Sequence, residues 1–225
     1  MKMIEQWWTE PDVGDQSMED EHGEFWERVA LQTFDVSLTG KILLDFGCNQ
    51  GGFLRKLYDE HKFRQAIGVD LARSSIEVAR SRCGDRPIEY IATDTMVDFE
   101  NRFDIAISTA VIYLIEDLRD HAQQIYRALK PGGIYFATHP DYMNDAAGTE
   151  IRTAINRFAA IKVKEHTLDD IADAFIGAGF KTSIKRIVPK GYTSLSKPSA
   201  WYQKVINHVD AEYVHNYAFR CEKVR

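Results

Sequence analysis

The feature that most constrains the fold is a short apolar run that ends in a glycine-rich turn. Residues 41–46 read KILLDF, the turn follows at residues 47–52, and apolar positions with helical spacing begin at Phe53. This order of strand, tight turn and helix opens a βαβ crossover, in which strands pair in parallel and helices cover the sheet. We therefore predict an α/β fold built on this unit.

The same alternation continues along the chain. It predicts further strands at residues 65–70, 88–94, 103–109 and 134–139, helices at 74–83 and 117–129, and a turn at 130–133. A helix over residues 167–178 follows, with Thr167 as its N-cap and Asp170 three residues on, and Gly179 ends it. Strands at 180–188 and 216–224 are expected to pair antiparallel, with a short helix at 199–208 between them. The core is predicted to be a doubly wound sheet.

Composition narrows the class of protein. The 225 residues are 44% apolar, and 28 basic against 34 acidic residues give a net charge of −6, so a folded domain with no strong attraction to nucleic acid is expected. Three widely spaced cysteines without a CxxC pair argue against disulfides and a zinc site. The first eight residues include charges, and no apolar run approaches about 18 residues, so we expect a soluble cytoplasmic protein that spans no membrane.

The glycine-rich turn lies where open α/β sheets bind ligands, at the carboxyl end of the first strand. Glycines let a ligand approach the backbone closely, and the start of a helix favours negative charge. A dinucleotide fingerprint needs glycine at positions 47, 49 and 52, and the middle position is Asn49. This substitution weakens a nicotinamide hypothesis and leaves a nucleotide-like cofactor as the prediction.

Three acids support that prediction. Asp45, Asp70 and Asp94 end three consecutive predicted strands, so they are expected at one edge of the sheet. A carboxylate about 20 residues beyond the glycine turn can accept both hydroxyls of a ribose, and a carboxylate at the next strand end can accept from an adenine amine.

With these motifs in order, the sequence resembles the class I S-adenosylmethionine-dependent methyltransferases. The motifs that carry the resemblance are LLDFGCNQG at residues 43–51, GVD at 68–70, ATD at 92–94, FDIAISTAVIYL at 103–114, LKPGG at 129–133 and AGF at 178–180. The resemblance covers residues 41–179 and implies a Rossmann-like, mostly parallel seven-stranded sheet with an antiparallel last strand. It also implies an N-terminal helical cap segment over residues 1–40 and a methyltransferase domain over 41–225 with a cap insertion at about 141–166.

The resemblance further implies S-adenosyl-L-methionine as the cofactor. The residues that it assigns to cofactor binding are Asp45, Gly47, Cys48, Asn49, Gly51, Asp70, Leu71, Asp94, Thr95 and Ser108. Cys48 is also considered as a reactive thiol, because a helix N-terminus lowers a thiol pKa, although ordinary packing of a small residue is favoured.

Two residues are candidates for catalysis. His139 follows the fifth strand and can be poised near neutral pH, or it can simply bond a loop carbonyl. Tyr113 follows the fourth strand and either lines the methyl site or packs beneath a cap. Methyl transfer can otherwise rest on positioning and the exclusion of water.

The expected acceptor is a small molecule methylated at oxygen, nitrogen or carbon. The N-terminal segment mixes Trp7, Trp8 and Trp26 with many acids, and in related enzymes such a segment often closes over the pocket. Basic residues interleaved with Trp201 and Tyr202 keep RNA methylation as an alternative. A nicotinamide-dependent oxidoreductase and a non-catalytic cofactor-binding protein are further alternatives.

Overall fold

The computed structural model describes residues 3–10, 18–93, 95–96, 98–195 and 201–224. The helices are α1 (Met18–Thr33), α2 (Gly52–His61), α3 (Arg73–Ser81), α4 (Leu118–Ala128), α5 (Gly148–Phe158), α6 (Leu168–Gly177) and α7 (Val205–Tyr213). The strands are β1 (Ile42–Phe46), β2 (Gln65–Asp70), β3 (Ile88–Ala92), β4 (Phe103–Ser108), β5 (Leu129–Pro140), β6 (Phe180–Arg186) and β7 (Asn216–Lys223). A short 3₁₀ helix, Ile112–Leu114, follows β4.

The strands form one seven-stranded sheet in the order β3-β2-β1-β4-β5-β7-β6. Strands β1 to β5 pair in parallel, and β7 lies antiparallel between β5 and β6. The predicted Rossmann-like architecture with an antiparallel last strand is confirmed. Strand order reverses between β1 and β4, which opens a crevice at their carboxyl ends.

Two helix starts follow the sequence closely because side chains satisfy their free backbone N–H groups. The Asp117 carboxylate accepts from the backbone of Arg119 and Asp120, at 3.0 and 2.9 Å, and begins α4. Thr167 and Asp170 form a reciprocal capping box that begins α6. Both helices begin within one residue of the predicted position.

Two predicted elements differ from the structure by several residues, the start of the fifth strand and the last helix. Residues 130–133, predicted as a turn before the fifth strand, lie inside β5, where Leu129 pairs with Phe103 and Ile134 with Ile105. The extra residues form an irregularity in the strand rather than a separate connection. The last helix is α7, which begins at Val205 instead of 199 and extends to Tyr213; residues 196–200 lie outside the described residues.

The sheet is covered on both faces. Leu43 and Leu44 are fully buried and belong to different apolar clusters, because successive strand residues point to opposite faces. One cluster packs against α4 and α6 and the other against α1, α2 and α3. A third cluster joins the N-terminal segment to α5 at the carboxyl edge of the sheet. No helix among the described residues is both long enough and apolar enough to cross a bilayer.

Candidate active site

A cavity of about 850 Å³ opens at the carboxyl ends of β1, β2 and β4. Its volume lies within the range of about 300–1,000 Å³ that is usual for small-molecule sites. One side is formed by the loops that follow these three strands. The other side is formed by the first described segment together with α1, α5, α7 and the residues that precede α7.

The glycine-rich loop is held by conformation and by backbone hydrogen bonds. Gly47 has φ +79°, and a Cβ at this position would lie 2.5 Å from a methyl carbon of Val111. The backbone N–H groups of Gly47 and Cys48 donate to the carbonyl of Val69, at 2.8 and 3.0 Å. Asn49 also has positive φ, at 46°. The loop therefore turns sharply from β1 into α2 and presents its backbone to the cavity.

Asp70 joins this loop to the next one. One carboxylate oxygen accepts from the Asn49 N–H at 2.9 Å, and the other accepts from the Ala72 N–H at 2.8 Å. Each carboxylate oxygen has a second lone pair, so the group can also accept from a ligand hydroxyl. Leu71 and Thr93 lie in the same part of the cavity wall.

Asp45 and Cys48 also line the cavity, and both side chains are buried. Burial, reinforced by the charge of Asp70, raises the pKa of Asp45 to about 8, so its carboxyl is mainly neutral at pH 7. Burial raises the pKa of the Cys48 thiol well above its ordinary value, and the negative charges of Asp45 and Asp70 add to the shift. Cys48 is therefore held as an unreactive thiol, which favours the packing role over nucleophilic chemistry.

The loop after β4 supplies the floor between the two sides. Ala110 has φ +55°, a conformation that is uncommon for a residue with a Cβ, and its N–H donates to the Thr138 hydroxyl at 2.9 Å. Tyr113 lies in the wall with its ring centroid 5.3 Å from that of Tyr142. Burial raises the pKa of Tyr113 to about 12, so its hydroxyl can donate a hydrogen bond but is not a base near neutral pH.

Several predicted site residues lie behind the cavity wall. Ser108 is fully buried and its hydroxyl donates to the Phe46 carbonyl at 3.1 Å, so it supports the start of the glycine-rich loop. Gly51 lies beneath Tyr90, whose hydroxyl donates to the Gly51 carbonyl at 3.0 Å. The Thr95 N–H donates to the Thr93 hydroxyl at 3.2 Å.

His139 is also absent from the cavity wall. It is 2% exposed, and neither ring nitrogen has a hydrogen-bond partner among the described residues. Burial lowers its pKa to about 4. Asp94, the predicted adenine contact, lies outside the described residues.

The wall also contains residues outside the predicted cofactor-binding and catalytic sets. Trp201 and Tyr202 lie before α7, and His208 and Glu212 lie on it. The ring centroids of Trp8 and Trp201 are 6.1 Å apart. No local motif links residues so distant in sequence, and the segment that leads into β7 brings Trp201 and α7 to the cavity.

Residues 44–137 match the family described as "Methyltransferase domain". The matched range contains the glycine-rich loop, Asp70 and the loop after β4. This range of the chain is therefore a methyltransferase domain. The family resemblance predicted from the sequence is thereby confirmed, and S-adenosylmethionine is the methyl donor of this class.

Similar proteins agree on the domain. Phosphoethanolamine N-methyltransferase 2 of Caenorhabditis elegans is 36% identical over 108 residues, which cover 46% of this chain and 24% of that protein. The chain spans only 24% to 50% of the length of these curated relatives.

Two solved structures share the fold. The methyltransferase in complex with the Haloferax volcanii Trm112 methyltransferase activator has a TM-score of 0.80 at 19% identity, over 94% of each chain. Haemonchus contortus phosphoethanolamine N-methyltransferase 2 in complex with S-adenosyl-L-methionine has a TM-score of 0.69 at 23% identity, over 88% of this chain and 52% of that one.

Proposed function

We propose that this chain transfers a methyl group from S-adenosylmethionine to a small-molecule acceptor. The observation that carries the proposal is the junction of Asp70 with the glycine-rich loop at the switch point of the sheet. This junction presents a carboxylate and turned backbone to a cavity of ligand size.

We assign different parts of the cofactor to different residues of the wall. We assign Asp70 to the ribose hydroxyls, the loop from Gly47 to Asn49 to the face of the cofactor, and the Thr109–Val111 segment to the end that carries the sulfonium. The buried hydroxyl of Thr109 and the amide oxygen of Asn49 have no partner within the described residues, and both belong to cavity-lining residues. A ligand in the cavity would satisfy such buried polar atoms.

The cofactor supplies an electrophilic methyl group when it is bound. Held by Asp70 and the glycine-rich loop, it would supply this methyl group to a nucleophilic atom of the acceptor and would leave as S-adenosylhomocysteine. The protein's contribution is to align the two groups and exclude water. Because Tyr113 lies in the wall and His139 does not, we assign positioning of the acceptor to Tyr113 and no contact to His139.

We further propose that residues 1–40 and 141–166 act as a cap on the sheet domain. The Ile4 N–H donates to the Leu71 carbonyl at 3.1 Å, and the Thr9 N–H donates to the Phe158 carbonyl at 2.9 Å. The segment between them thus runs from the loop after β2 to the end of α5. Ile151 and Ile155 of α5 complete this side of the wall.

The charge distribution favours a small molecule over RNA. The described cavity wall contains no lysine or arginine, the residues that bind phosphate backbones. The basic side chains of Lys181, Lys185 and Arg186 lie on exposed positions of β6, away from the cavity. Retention on RNA that persists above physiological salt would instead support the RNA alternative.

Calorimetric titration with S-adenosylmethionine and S-adenosylhomocysteine tests the cofactor assignment. Asp70→Asn is expected to weaken binding of both by about 1.5–3 kcal/mol, the usual contribution of hydrogen bonds to a charged group. Asp169→Asn removes the same charge from an exposed position on α6 and should leave affinity unchanged. Failure of the wild-type protein to bind either compound would refute the proposed function.

A further inference from the structure

We infer that the acceptor side of the cavity takes an organic cation, a positively charged group on an apolar or aromatic frame, and rejects phosphorylated acceptors. The inference rests on the proposed function, because it names the class of acceptor for that site. It depends on two properties of the wall, its aromatic faces and its charge.

The aromatic faces come from separate parts of the chain. Trp8 lies with its ring centroid 6.4 Å from that of Trp7 and 6.1 Å from that of Trp201. Tyr113 and Tyr142 form an edge-to-face pair across the floor, with centroids 5.3 Å apart. All five side chains line the cavity. Aromatic faces carry negative electrostatic potential and attract cations when several of them surround one space.

The backbone holds the N-terminal part of this aromatic group in place. The Thr9 N–H donates to the Phe158 carbonyl at 2.9 Å, and the Ala160 N–H donates to the Trp7 carbonyl at 2.9 Å. Trp8 is 6% exposed. Because these rings are fixed before a ligand binds, less conformational entropy is lost on binding.

The described wall is rich in carboxylic acids and poor in basic groups. Its carboxylic acids are Glu10, Glu19, Asp45, Asp70 and Glu212, and the described wall contains no lysine or arginine.

Two of these acids are paired with groups behind the wall. Glu19 binds Arg55 at 2.6 Å, and Glu212 binds Arg28. Glu10 accepts the indole N–H of Trp8 at 3.1 Å and so lies beside the aromatic group.

A phosphate beside the aromatic rings would meet the Glu10 carboxylate with no lysine or arginine of the described wall to oppose it, whereas a positive group would meet that carboxylate and the aromatic faces. The wall also contains two imidazoles, and both contact aromatic rings: His22 lies against Trp26 and His208 is stacked on Tyr202. The cavity therefore differs from one built for a phosphorylated amine, the substrate class in the name of the nematode relative.

Three probes that share a phenyl ring and differ in their polar group test the inference. Phenethylammonium, 2-phenylethanol and phenyl phosphate are titrated into the protein saturated with S-adenosylhomocysteine, with calorimetry as the readout. We expect the ammonium compound to bind at least about tenfold more tightly than the alcohol, and phenyl phosphate to bind weakest. Equal or tighter binding of phenyl phosphate, or no binding of the ammonium compound, would overturn the inference.

Substitutions in the aromatic group test whether phenethylammonium binds there. Trp201→Ala is expected to weaken phenethylammonium binding at least about fivefold, and Trp201→Phe to retain most of it. Tyr192→Ala removes a fully exposed aromatic residue from the same part of the chain and should have no effect. Unchanged ammonium affinity in Trp201→Ala would contradict the assignment.

The affinity of each variant for S-adenosylhomocysteine shows whether it has folded. Trp8→Ala provides a second variant should Trp201→Ala fail to fold. If the wild-type protein binds no S-adenosylhomocysteine, the proposed function fails. If it binds S-adenosylhomocysteine but does not prefer the cation, only the present inference fails.

Discussion

The two sides of the cavity are built in different ways. The cofactor side, from Asp45 to Asp70, is made largely of backbone groups fixed by turns and by hydrogen bonds between adjacent loops. The acceptor side is made largely of aromatic side chains from segments that are far apart in sequence. The cofactor side depends on the backbone conformation of single residues. The acceptor side depends on the shape and charge of side chains that substitution can change. We therefore expect substitutions on the cofactor side to abolish or weaken binding, and substitutions on the acceptor side to change which ligand is preferred.

The largest effect should come from the backbone-built side. Gly47→Ala places a Cβ at φ +79° and 2.5 Å from Val111, so the loop must shift. We expect the affinity for S-adenosylhomocysteine, measured by calorimetry, to fall by about a hundredfold. Gly23→Ala on α1, where a Cβ meets nothing within 4 Å, is the matched control. If the two variants bound S-adenosylhomocysteine equally well, the contrast between the two sides would be lost.

An intermediate effect should appear in the pH dependence of stability. The folded-state pKa of Asp45, about 8, is above its ordinary 3.8, so the neutral carboxyl stabilises the fold fully below pH 3.8, and this contribution is lost as pH rises through 8. Asp45→Asn should remove this part of the pH dependence and be more stable than wild type at pH 8, by on the order of 1–3 kcal/mol. Denaturant unfolding of both proteins at pH 5 and pH 8 measures the pH dependence and the difference in the free energy of unfolding. Parallel pH profiles would mean that Asp45 ionises normally.

The smallest effect should come from the ion pair that joins the two sides. Glu19 of α1 binds the buried Arg55, whose guanidinium also donates to the Gln50 carbonyl of the glycine-rich loop at 2.6 Å. Glu19→Gln should lower the free energy of unfolding by about 1 kcal/mol, since the pair is partly exposed. Glu24→Gln, an exposed charge change on the same helix, is the control. An equal change in both variants would show that α1 is not held to the loop by this pair.

The sequence was sufficient for most of the fold, because its signals are local. The apolar run at residues 42–46, the cap at Asp117 and the capping box at Thr167 each depend on neighbouring residues. Residues 130–133 misled the prediction, since a Pro-Gly-Gly sequence is typical of a turn. The sheet accommodates it within β5 by an irregular register against β4.

The same distinction between local and distant signals applies to the candidate site. Gly47 and Asp70 could be predicted because a turn and a strand end mark them in the sequence, and both lie in the wall. His139 also follows a strand, but the packing around β5 buries it behind the wall. The site position of Trp201 depends on a contact with Trp8 across the whole chain, for which a single sequence contains no signal.

The distance in sequence between Trp7 and Glu212, both in the cavity wall, has a consequence for synthesis on the ribosome. The residues of the glycine-rich loop and its partners, up to Thr138 that accepts from the Ala110 N–H, emerge before α5. The acceptor side also requires α7, which emerges after α5, α6 and β6. The residues of the cofactor side are therefore synthesised first, and Trp8 can contact Trp201 only after the segment before α7 has been made.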